Sequence, residues 1–140
     1  MYRRILLGTD GSPESRRATS AVASIAGPLE AEVTVASAAY ERADRVTEWD
    51  YEAIEKAIPT EQAAKWARDE VAWLAEHGIA AQHVVLDGSP AEALAKLASS
   101  GSFDLLVVGH RGRGSGHIPI AGSVATALPD LAHCPVMIVP

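Results

Sequence analysis

Short apolar runs alternate along this chain with longer stretches in which apolar residues recur every three or four positions. Residues 5–10 (ILLGTD) predict a strand that stops at a turn. Ser12-Pro13-Glu14 then predicts a helix start. The serine caps, the proline takes the first helical position, and the acid lies near the positive end of the helix dipole. Ala18, Ala21, Val22, Ile25 and Ala26 share one helical face, and Gly27-Pro28 is expected to end it. Residues 32–40 (EVTVASAAY) predict a second strand, and the charged stretch 41–58 reads as a surface or mobile excursion. Pro59-Thr60-Glu61 opens a second helix, with Ala64, Ala67, Val71, Leu74 and Ala75 on one side and Gly78 at its end. Residues 79–86 (IAAQHVVL) predict a third strand. Ser89-Pro90 repeats the Ser-Pro start, with Glu92 at the spacing of a capping box, and Ala91, Leu94, Ala95, Leu97 and Ala98 form the apolar side. Residues 103–109 (FDLLVVG) are nearly all apolar, as a strand covered on both faces should be. A last helix is expected from Gly122-Ser123, kinked or cut short by Pro129, and a last strand over 135–139.

Repeated strand–helix alternation implies parallel strands joined by right-handed crossovers. The expectation is an α/β fold: one domain over 1–140, an open five-stranded parallel sheet, Rossmann-like, with about four helices on both faces. Neither a composition shift nor a linker divides the chain. In such sheets ligands bind at the carboxyl ends of strands, where the strand order reverses. Two loops therefore matter most: Gly8-Thr9-Asp10-Gly11 and the glycine-rich stretch after the fourth strand.

Composition narrows the choices. Of the 140 residues 48% are hydrophobic but only 5% aromatic, so aliphatic side chains must build the core. A net charge of −6 argues against non-specific binding to DNA or to a membrane surface, which rests on a positive field. The single cysteine, Cys134, excludes an internal disulfide and fits a reducing cytoplasm. The N-terminal apolar run is too short for a signal peptide, and no window approaches a membrane span. The expected setting is cytoplasmic, with neither nucleic acid nor membrane as partner.

The stretch 107–123 (VVGHRGRGSGHIPIAGS) holds five glycines and no lysine, so the Walker-type phosphate loop is excluded. The dinucleotide fingerprint fails on spacing and would belong after the first strand. What remains is backbone: glycines that expose N–H groups, and Gly122-Ser123 at a helix N-terminus, where unpaired N–H groups and the dipole favour phosphate. Arg111 and Arg113 could add charge-assisted bonds, and His110 or His117 could touch phosphate. Plainer readings stand beside these. Asp10 could cap its own turn, Ser123 could be an ordinary helix cap, and the arginines and loop histidines could be solvated. His77, His83, His110, His117 and His133 show no metal-ligand spacing. Trp66 and Trp73, seven apart, read as packing or a subunit contact, and Glu48, Asp50 and Glu52 as a solvated acidic face.

The pattern Gly109-x-x-Gly112, nine residues, then Gly122-Ser123 resembles the nucleotide-binding signature of the universal stress proteins. The resemblance extends to RRILLGTDGSPESRRA, GSPAEALAKLA with FDLLVVGHRGRG, and GSVATAL with HCPVMIVP. It implies strand order 3-2-1-4-5 and an ATP site, with Mg²⁺ bridging the phosphates. Asp10 would accept from the adenine edge, with Gly8, Thr9 and Ala38 lining the base pocket. Gly109 and Gly112 would admit the phosphates, flanked by His110 and Arg111, and Gly122, Ser123 and Val124 would hold phosphate and ribose. It also implies a homodimer through the last strand, 135–139. Gly8 stands where the family usually has Val or Pro, Ala38 is smaller than the usual Val, and His117 to Pro119 replaces a more apolar stretch. The function so implied is an ATP-binding stress or regulatory protein acting as a nucleotide-responsive dimer. The alternatives are a slow ATPase and an interaction module with a vestigial pocket. Adenylyl transfer is more remote, because GTDG lacks the histidines such a loop needs.

Overall fold

The computed structural model describes residues 1–40, 58–111 and 123–140. In chain order the elements are β1 (Arg4–Gly8), α1 (Pro13–Leu29), β2 (Glu32–Ala39), α2 (Thr60–Glu76), β3 (Ala81–Asp87), α3 (Pro90–Ser100), β4 (Leu105–Gly109), α4 (Ser123–Leu131) and β5 (Val136–Val139). The strands form one sheet in the order β3-β2-β1-β4-β5, every pairing parallel. This is the expected α/β sheet, with the expected strand order. Of the region 41–58 only Ile58 is described, and it forms an antiparallel bridge with Tyr40.

Two apolar clusters cover the two faces of the sheet. Ile5, Leu7, Val33, Val35, Leu105 and Val107 point to the side of α1 and α2, where they meet Ala18, Val22, Ala67 and Leu74. Leu6, Ala36, Leu106 and Val108 point to the side of α3 and α4, against Leu94, Ala98 and Leu128. Alternate residues of β1 and β4 thus enter opposite cores, which is why these strands carry no polar face.

Several local expectations are corrected. Helix α1 does not stop at Gly27-Pro28 but runs through both to Leu29. Pro28 falls in the last turn, and the end is made by Glu30 in the left-handed conformation (φ 51°), its N–H donating to the carbonyls of Ala26 and Gly27. The buried stripe of α2 is Ala63, Ala67, Glu70 and Leu74; the predicted Ala67 and Leu74 are on it and Val71 packs beside it, while Ala75 is exposed. Glu70 is 4% exposed, and its Oε2 accepts from Arg16 Nε at 2.8 Å, so an ion pair rather than an apolar residue fills that position. The capping box at α3 does not form: Ser89 occupies the N-cap but its side chain makes no cap hydrogen bond. Helix α4, by contrast, includes Pro129 and ends two residues later, at Leu131, in line with a helix cut short there.

Candidate functional site

The pairing of the central strands stops short of their carboxyl ends. β1 and β4 pair from Ile5↔Leu105 to Leu7↔Val107. Beyond that point each turns to its other neighbour. Gly8 pairs with Ala36 of β2, and Thr9 N donates to Ala36 O at 2.9 Å. Val108 and Gly109 pair with Ile138 and Val139 of β5, and His110 N donates to Val139 O at 2.7 Å. Thr9-Asp10 and His110-Arg111 therefore follow the two central strands at the point where the strand order reverses, the place where ligands bind in open parallel sheets.

The β1–α1 turn is built from short side-chain bonds. Asp10 Oδ1 accepts from Ser12 N at 2.9 Å and from Ser15 Oγ at 2.6 Å, and Asp10 N donates to Ser15 Oγ at 3.1 Å. Ser12 caps α1 through Ser15 N, at 3.1 Å. The turn-forming role weighed for Asp10 is thus present in the geometry. Gly11 has φ +76°, and a Cβ there would collide with the Trp66 indole, so α2 lays a tryptophan directly on this turn. Nothing local in the sequence signals that contact, whereas the Asp10-x-Ser12-x-x-Ser15 spacing does signal the turn network.

The remaining candidates divide by face. Gly8 is buried on the α3 side, where a Cβ would meet Leu94 Cδ1 at 2.9 Å and Val108 Cγ1 at 3.1 Å. Ala38 is buried and pairs with Leu86, two residues along from Ala36 and so on that same face. Gly109 faces the opposite way. A Cβ there would stand 3.0 Å from the backbone carbon and oxygen of Glu14, so its lack of a side chain lets the first turn of α1 seat against the end of β4. Ser123 is the first residue of α4 and exposed, and Val124 is half-buried against the α3–α4 core. Gly112 and Gly122, together with Arg113 and His117, lie outside the described residues.

His110 and Arg111 line a cavity of about 170 Å³ with Glu14, Arg17 and Pro140. A larger cavity, about 330 Å³, lies at the amino ends of the strands beside Arg4, Glu32 and Gln82. The smaller one is the better site, because loops and helix N-termini gather only at the carboxyl ends. Among the described residues no group of three or more His, Cys, Asp or Glu could hold a metal ion. Cys134 is half-buried, and its thiol pKa is raised, first by burial and then by the charge of Asp104. No helix among the described residues is long and apolar enough to cross a membrane.

A model of the universal stress protein family matches residues 1–140. Universal stress protein MJ0531 of Methanocaldococcus jannaschii is 31% identical, the alignment covering 99% of this chain and 82% of that protein. The solved structure of hypothetical protein MJ0577 is 26% identical with a TM-score of 0.80, covering 99% of this chain and 96% of that one. A universal stress protein crystallised in complex with cAMP is also 26% identical, with a TM-score of 0.71 over 99% of this chain and 97% of that one. Sequence match over the full length and the shared sheet lead to one conclusion: the chain belongs to the universal stress protein family.

Proposed function

We propose that this protein binds an adenine nucleotide, ATP with Mg²⁺ bridging its phosphates, in the crevice between β1 and β4, and acts as a nucleotide-responsive regulatory dimer. The observation that supports the reading is the end of the β1–β4 pairing at Leu7↔Val107, where the strand order reverses and Thr9-Asp10 and His110-Arg111 follow the two strands. The relative crystallised with cAMP supports an adenine nucleotide as the ligand class. In this reading Asp10 meets the base, and Gly8, Thr9 and Ala38 form the floor beneath it. The phosphates run from Gly109, His110 and Arg111 past Gly112 to Gly122, Ser123 and Val124. Dimerisation uses β5, which stands at the sheet edge with backbone groups open to a second strand.

Ligand that binds only the native state stabilises it by RT ln(1 + [L]/Kd), about 2.7 kcal/mol at a hundredfold excess over Kd. Thermal melts of the pure protein with Mg-ATP, Mg-GTP and cAMP test this. The expected result is a rise in Tm with ATP that grows with concentration. An unchanged Tm at millimolar ATP would sink the proposal.

A further inference from the structure

Helix α2 reaches the β1–α1 turn with a tryptophan. Gly11 follows Asp10 and has φ +76°, and a Cβ on it would collide with Nε1, Cδ1 and Cε2 of Trp66. The indole therefore bears on the turn backbone, one peptide away from Asp10. It is held there by its own helix. Ala63 and Ala67, on either side of it in α2, are fully buried. One turn further on, on the same ridge, Glu70 is tied to Arg16 of α1 at 2.8 Å. The same turn of α1 holds Asp10, because Ser15, next to Arg16, donates from Oγ to Asp10 Oδ1 at 2.6 Å. Thus α1 grips the carboxylate while α2 presses on the backbone beside it. Helix α2 shares one face of the sheet with α1, and α4 packs on the other. Trp66 meets the turn from the side away from α4, so it braces the turn without standing where the phosphates are placed.

We infer that Trp66 is a positioning residue for base recognition. It touches no part of the nucleotide. By bearing on Gly11 it fixes the turn, and with it the place of the Asp10 carboxylate relative to the base. The inference rests on the nucleotide reading above and adds to it a residue from α2, outside the glycine signature. A carboxylate accepts from the 6-amino group of adenine only over a narrow range of distance and angle, so a small slip of the turn loses that bond and leaves the phosphate contacts alone.

Titration calorimetry of the full chain compares Mg-ATP with the Mg complex of purine riboside triphosphate, which lacks only the 6-amino group. The proteins are wild type, Trp66→Leu, Trp66→Phe and Trp73→Leu, at a temperature where circular dichroism shows each of them folded. Trp73 lies seven residues further along α2 and packs on Arg16 and His77, so it controls for the loss of a tryptophan from this helix. Wild type is expected to bind ATP more tightly than the analogue. Trp66→Leu should weaken ATP about fivefold or more while the analogue changes by less than about twofold, as losing most of one charge-assisted bond requires. Trp66→Phe, which still lays a ring on Gly11, and Trp73→Leu should both keep the wild-type ratio. An equal loss for the two ligands in Trp66→Leu, or no loss, overturns the inference and leaves nucleotide binding standing. A wild type that binds both ligands equally does the same. Failure of wild type to bind either ligand overturns both.

Discussion

Gly8 and Gly109 close the two central strands, and their surroundings give them different tolerances. A methyl on Gly109 meets the backbone of Glu14, which cannot move without shifting α1. A methyl on Gly8 meets the end of the Leu94 side chain, which can rotate away. Gly109→Ala should therefore cost about 1–3 kcal/mol, and Gly8→Ala about 1 kcal/mol or less, in urea denaturation. Asp10→Asn is a sharper probe than Asp10→Ala. Asparagine still offers an oxygen to Ser12 N and Ser15 Oγ, but presents an NH₂ where the second carboxylate oxygen stood. It should lose adenine affinity and cost less stability than alanine, which gives up the bonds to Ser12 N and Ser15 Oγ as well. Ser37 Oγ is buried with no hydrogen-bond partner, so Ser37→Ala should be neutral or slightly stabilising in the same assay. These contacts were only partly legible beforehand. Asp10 declares itself through the serines that follow it, but the neighbour of Gly109 comes from a helix ninety-odd positions earlier in the chain, and only the fold reveals it.

At the scale of elements, the two Ser-Pro helix starts look alike in sequence and differ in structure. Ser12 is buried and caps α1 through Ser15 N, while Ser89 makes no side-chain cap bond. Ser12→Ala should cost about 1–2 kcal/mol, and Ser89→Ala only a few tenths. The ion pair between α1 and α2 behaves as a clip: Arg16 holds Glu70 and lies 5.5 Å from the Trp73 ring centroid, and Trp73 stacks on His77 at 3.7 Å. Arg16→Met would leave the Glu70 carboxylate buried without its cation. We expect a loss of about 2–3 kcal/mol, less than for a fully buried pair because Arg16 is itself half exposed. A double change with Glu70→Leu should recover much of that. Periodicity placed Ala67 and Leu74 of α2 on the buried face but missed Ala63 and Glu70, because a charged residue on the buried stripe is invisible to a count of apolar positions.

For the molecule as a whole, the sheet was legible because both faces are covered. Continuous apolar strands alternating with one-sided helices admit few other arrangements, and the parallel five-stranded sheet is what the structure has. The order of strands is different in kind. Nothing in hydrophobic spacing says that β4 lies beside β1, and that placement came from resemblance to a family. Yet the order is what puts the carboxyl ends of β1 and β4 side by side where it reverses. Every part of the functional reading hangs on where a nucleotide goes.

An amide NMR titration with Mg-ATP locates it directly. The account predicts saturable shifts confined at first to Thr9–Ser12 and Gly109–Arg111, around the carboxyl ends of β1 and β4. Shifts centred instead on Arg4, Glu32 and Gln82 at the opposite end of the sheet, or none at saturating ATP, would contradict it.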